Sequence, residues 1–159
     1  MTLKQIIGKV HLWLGLSSGL VVFIIGITCC IWAFKEEIAS VIYEDILTVQ
    51  EIPASQDKRI SESLFAGQQR IGSDIPAPQL YIKNDPQATV VVRARKFDPE
   101  APGIWYWNEL LYDYKAYVNP YTAEVITKRD ESFEFFNFVL WLHRTLLLKY
   151  DTGTTVTGT

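Results

Sequence analysis

Histidine and cysteine are scarce in this 159-residue chain, which has two of each. The cysteines, Cys29 and Cys30, are adjacent and lie inside an apolar run, so there is no disulfide framework of the kind that staples small secreted domains. Neighbouring cysteines point to different faces of a helix, and small apolar residues are ordinary there, which argues against a vicinal redox or metal pair. Residues 44–130 contain neither histidine nor cysteine, so a transition-metal site built among them would rest on carboxylates alone. Basic clusters are missing too. With 15 Lys and Arg against 18 Asp and Glu, the net charge is −3, and nucleic-acid binding has no footing. No Ser/His/Asp set can be assembled from histidines that both stand at the ends of apolar stretches, and no carboxylate pair is spaced as a catalytic dyad.

The main feature present is a long apolar segment. Leu12 to Phe34 is a run of 23 uncharged residues. As a helix it would extend about 34 Å, against a hydrocarbon core of about 30 Å, so it can cross a bilayer with modest tilt. Trp13 and Trp32 stand near its two ends, at depths that suit indole rings at an interface. Lys4 and Lys9 precede the run; Lys35 follows it, and then Glu36, Glu37, Glu44 and Asp45. Positive charge on the short leading flank predicts an amino terminus in the cytoplasm. A cleaved signal peptide is the competing reading. The run exceeds the usual h-region of roughly 7 to 15 residues, and no A-x-A-like site closes it.

A mean hydropathy barely above zero leaves room for a soluble domain of about a hundred residues, enough for one small core. The helix is expected to continue past Phe34 through Ile42, with Pro53 as its late limit. Ser55 to Ile71 read as a short amphipathic helix stopped by Gly72. Three strand-like runs follow, Gln79 to Lys83, Thr89 to Arg95 and Leu111 to Val118, punctuated by Asp85-Pro86 and Asn119-Pro120. Tyr117 to Val125 read as strand, turn, strand. The fold class is therefore α+β: a transmembrane helix, then a helix with an antiparallel sheet. Trp105, Tyr106, Trp107 and Tyr112 suit either a contact surface or a core.

From Glu131 the chain becomes aromatic and apolar again, up to Trp141-Leu-His-Arg144. This stretch is too short to span and reads as an interfacial helix or the approach to a second crossing. Gly153 to Thr159 looks like the start of a further membrane segment. The expected organisation is a tail and first transmembrane helix over residues 1–43, an exported α+β domain over 44–130, and an interfacial helix with the beginning of a second membrane segment over 131–159.

Both histidines stand at membrane approaches. His11 shares a helical face with Gly15, Ser18, Gly19, Val22, Gly26, Cys29 and Ala33. Gly15 to Gly19 gives the GxxxG spacing that admits a close helix backbone. A flat macrocycle such as haem would need the same clearance, and imidazole is a good haem-iron ligand; the plain alternative is a helix-packing face. If the amino terminus is inside, His11 and His143 lie roughly 30 Å apart across the core. Two nitrogens on one metal sit only about 4 Å apart, so the pair cannot share an ion. Each needs a partner from elsewhere.

Val10-His-Leu-Trp-Leu-Gly-Leu-Ser-Ser-Gly19, Tyr117-Val-Asn-Pro-Tyr-Thr-Ala-Glu-Val125, and Leu142-His-Arg-Thr-Leu146 with Gly153 to Gly158 resemble, in that order, the PepSY-associated transmembrane family of bacteria. The similarity covers essentially the whole chain. Members carry further membrane helices beyond the point where this sequence stops. Some are iron-regulated inner-membrane proteins, including haem-containing reductases that release iron from siderophores. The resemblance implies haem b as cofactor, with His11 and His143 as candidate ligands on opposite sides of the membrane. It also implies that the remaining ligands lie on helices outside this sequence, and that a ferric siderophore is reduced on the outer, periplasmic side. The implied surroundings are the lipid bilayer of the bacterial inner membrane. Two departures stand out. Ala123 replaces the glycine usual after threonine in the turn, so that turn is expected to differ in type; Cys29 follows Thr28 where glycine is common. A membrane-anchored binding or regulatory module without enzymatic activity is the alternative, because PepSY-like domains also occur as inhibitory propeptides. A structural membrane protein is a third.

Overall fold

The computed structural model describes residues 2–53, 58–76 and 79–158. Helix α1, Leu3–Ala33, contains the whole apolar run except Phe34. It is the one helix among the described residues long and apolar enough to cross a membrane. Leu12, Leu14, Leu16, Leu20, Val22 and Phe23 are all exposed, an apolar surface too large for water and suited to lipid. At Phe34 the backbone leaves helical geometry (φ −99°, ψ 16°) and resumes at once as α2, Lys35–Ile42. The continuation expected past the membrane is thus present, with a break at its first residue. A single turn, α3 (Glu44–Leu47), closes the segment well before Pro53.

Helix α4, Ile60–Ile71, matches the described part of the expected amphipathic helix; residues 55–57 of that expectation lie outside the described residues. Gly72 ends it at φ 142°, a conformation that disfavours any side chain. Strands β1 (Gln79–Tyr81), β2 (Val90–Phe97), β3 (Leu110–Val118) and β4 (Val125–Asp130) form an antiparallel sheet in sequence order. The α+β architecture is the one read from the sequence. Short helix α5, Tyr106–Glu109, sits in the β2–β3 connection. Helices α6 (Phe135–Thr145) and α7 (Tyr150–Thr157) complete the described chain.

Side chains alternate across the sheet, and the two faces differ in kind. On one, Val92, Ala94, Ala116 and Val118 pack with Ile71 of α4 as a buried apolar cluster. Gly67 lets α4 approach, since a Cβ there would overlap Val92. The other face carries Arg93, Arg95, Asp113, Lys115 and Arg129, brought together because register pairs Arg93 with Lys115, Lys115 with Arg129, and Arg95 with Asp113.

The β3–β4 turn shows what the Ala123 departure does. Asn119 Oδ1 accepts from the amides of Tyr121 (2.9 Å) and Thr122 (3.4 Å), and Ala123 N donates to Asn119 O (2.9 Å). Ala123 itself adopts φ 59°, the left-handed region that favours glycine. The residue has changed, and the alanine bears the strain.

Candidate functional site

The site is built where α6 meets α1. Glu134 caps α6, accepting from Asn137 N at 3.0 Å, and its other oxygen accepts from the Tyr43 hydroxyl at 3.1 Å. That fixes the start of α6 beside the end of α2. The opposite end carries His143, whose ring reaches Thr28 and Ile25 of α1. The two helices therefore run antiparallel, and α6 descends along the last third of the apolar run. Thr28 is the one buried residue of α1. It lies six residues before Phe34, about 9 Å inside the end of the run.

Two oxygens of α1 face the His143 ring. Nδ1 lies 3.3 Å from the Ile25 carbonyl oxygen and 3.2 Å from Thr28 Oγ1. A carbonyl only accepts. The Thr28 hydroxyl already donates to Ile24 O at 2.8 Å, leaving its oxygen as an acceptor toward the ring. The tautomer with the proton on Nδ1 is the one that can bond to the Ile25 carbonyl, and it leaves the Nε2 lone pair free. Nε2 has no hydrogen-bond partner among the described residues. In that tautomer the ring is anchored to α1 through one nitrogen and presents the other, Nε2, as an acceptor.

The backbone after His143 is strained and firmly held. Leu146 and Leu147 take φ 52° and 66°, an unusual conformation for consecutive leucines. The corner is pinned by Leu146 N donating to Leu142 O (3.1 Å), Tyr106 N to Leu147 O (2.9 Å) and Lys149 N to Ile104 O (2.9 Å). Helix α7 then returns against α6 at Gly153, where any side chain would collide with buried Thr145. Trp141 stacks on buried Tyr106 (5.1 Å between ring centroids) and meets Phe97 at 5.7 Å, joining α6 to the sheet. Of the four aromatics weighed as surface or core, Tyr106 is core, Tyr112 flanks the apolar cluster, and Trp105 and Trp107 are exposed and stacked on each other.

His11 stands elsewhere. It lies 17 residues before Thr28 on the same helix, about 26 Å along the axis, so the structure does not bring the two histidines together. Its small-residue face is also not the one α6 uses. Helix α6 covers the side of Val21, Ile24, Ile25, Thr28 and Trp32, about a third of a turn away, while Gly15, Gly19 and Gly26 have open space where a side chain would be. Cys29 and Cys30 are exposed on α1.

Sequence reasoning missed two things here. Thr28 drew notice only for the residue after it; its signal was a lone hydroxyl near the far end of an apolar helix. The charged sheet face was visible as Arg93-x-Arg95 and Asp113-x-Lys115, alternation at the strand period. There Asp113 accepts from Arg93 Nε at 2.7 Å and lies 3.4 Å from Arg95, while Glu131 lies 2.8 Å from Lys115 and 3.6 Å from Arg129. Asp113 and Glu131, both buried, are each shared by two cations.

The model of the PepSY-associated TM region matches residues 9–159. The chain belongs to this family. It is a membrane-associated PepSY protein, and the exposed apolar α1 is the part that meets the bilayer. No curated relative matches the chain.

Proposed function

We propose that this PepSY chain supplies two haem-ligating histidines, His11 and His143, to a reductase of ferric siderophores in the bacterial inner membrane. The observation that carries the reading is the His143 ring, held through Nδ1 by Ile25 and Thr28 with Nε2 left as a free base. The positive leading flank orients the amino terminus toward the cytoplasm, so the sheet domain stands on the periplasmic side and His143 belongs to the outer half of the membrane. Bound haem b would supply a one-electron iron couple at each histidine. The chain's own part is to fix the imidazole of His143: Thr28 and the Ile25 carbonyl hold the ring through Nδ1 and set its orientation, and the Leu146–Leu147 corner ends α6 just beyond it. The open small-residue face beside His11 leaves clearance for a flat group on the other side. Further ligands come from outside this sequence, which has no third histidine.

Absorbance of the full-length protein in detergent tests the reading. A Soret band is expected, and His143→Ala and His11→Ala should each remove about half of the bound haem if the sites are independent. Absence of the band, or a band untouched by His143→Ala, leaves the anchored non-enzymatic module as the function.

A further inference from the structure

We propose that the cleft between α2 and the charged face of the sheet binds a phosphate-class oxyanion, held by Lys35, Arg93, Lys115 and Arg129. The cavity measures about 320 Å³, with α2 on one wall and the sheet on the other. Arg93, Lys115 and Arg129 stand in register on three neighbouring strands, a row of like charges roughly 5 Å from strand to strand. Like charges directly opposite one another repel unless something neutralises them. The local carboxylates do so only in part. Asp113 is shared by Arg93 and Arg95, and Glu131 by Lys115 and Arg129. Lys35 faces this row from the opposite wall, its ammonium 4.4 Å from the Trp32 ring.

The other acidic groups at the cleft are committed. Glu36 pairs with Lys83 at 3.0 Å, and Glu134 caps α6 and accepts from Tyr43. Apart from the Lys83–Glu36 pair, four cations, Lys35, Arg93, Lys115 and Arg129, thus meet three carboxylates, Glu131 and Glu134 at the cleft and Asp113 behind Arg93. Positive charge is left over. The state of Lys35 agrees: burial pushes its ammonium below the usual lysine range, and Lys115 and then Arg93 add to this against the opposing pull of Glu36 and Glu134. A tetrahedral oxyanion suits planar guanidinium forks and a point-charge ammonium together. The volume leaves room for an ester substituent as well as the phosphate.

Position suggests where the phosphate comes from. Lys35 directly follows Phe34, the last residue of the apolar run, so the floor of the cleft lies at headgroup depth. A lipid phosphate and a free phosphate share the same chemistry, and the test separates them. Full-length protein in detergent is titrated with inorganic phosphate and, separately, with short-chain phosphatidylglycerol. The expected result is saturable binding that weakens about tenfold in Lys35→Gln and in Arg129→Gln, and is unchanged in Lys96→Gln, an exposed lysine away from the cleft. Binding of phosphatidylglycerol alone assigns the site to lipid; binding of both probes assigns it to the phosphate group itself. Lys35→Gln should also raise the ligand-free melting midpoint, because it removes an excess cation. Loss of binding with gain of stability cannot come from a damaged fold. Failure of both probes to bind, or equal affinity in wild type and both cleft variants, overturns the proposal.

Discussion

Thr28 does two jobs with one hydroxyl. Its proton goes to Ile24 O, which keeps the helix interior satisfied, and its oxygen then faces the His143 ring as an acceptor. Valine has nearly the same shape and lacks both properties. Under the haem reading, Thr28→Val should lower haem affinity by about tenfold, the lower end for loss of a group that orients a ligand, because Ile25 O still holds Nδ1. Thr28→Ser should restore the wild-type value. Haem titration of the three proteins decides it; equal affinity for valine and threonine would show that the hydroxyl has no part in setting the ligand.

Among the elements, the β3–β4 hairpin and the α6–α7 corner both hold non-glycine residues at positive φ. In the corner, the backbone bonds to residues 104–106 hold the strained conformation in place. In the hairpin, nothing functional requires the alanine. A left-handed non-glycine residue costs about 1–2 kcal/mol, and glycine returns about 0.4–1 kcal/mol of that through a freer unfolded chain. Ala123→Gly is therefore expected to stabilise the sheet domain by up to about 1 kcal/mol. A rise in the denaturant midpoint of sheet unfolding checks this, and a fall would mean the turn relaxes in solution to a geometry alanine prefers.

For the molecule as a whole, the charged face makes stability depend on pH in an unusual direction. Lys35 has a folded pKa below its unfolded value, so the unfolded chain binds more protons between the two and stability climbs with pH through that window. Tyr106 and Tyr117 are raised, both chiefly by burial, and Tyr117 next by Glu131; the folded state then holds the protons and stability falls above the ordinary tyrosine range near 10. Glu36 is lowered, chiefly by its hydrogen bond from Lys83, so its small contribution is lost as pH falls through the acid range. Melting midpoints measured without phosphate should rise as pH climbs toward the ordinary lysine range near 10 and decline beyond it. Lys35→Gln should remove the rise and leave the alkaline decline. A flat profile in the wild type would show that Lys35 is solvated in solution.

The sequence by itself determined the membrane helix, the order of helices and strands, and the class of the fold, because each depends on local pattern. An apolar run of bilayer length, a 2-residue alternation and a glycine stop act within a few residues of themselves. It also separated His11 from His143, since helix rise and chain order fix that distance to within a turn or two. Tertiary structure alone decided which face of α1 is covered. His143 meets Thr28 across 115 residues of chain, a pairing set by how α6 packs once Glu134 and Tyr43 have tied its start, and helical periodicity around His11 pointed to a different face. The same holds for the charged side of the sheet. Alternation in β2 and β3 shows that one face is polar, but only the docking of α4 on the apolar face and of α2 beside the other gathers Lys35, Arg93, Lys115 and Arg129 around one cavity. Side-chain period is a local property of the backbone, whereas the partner of a face is a choice among distant surfaces, made by burial and charge in the folded chain.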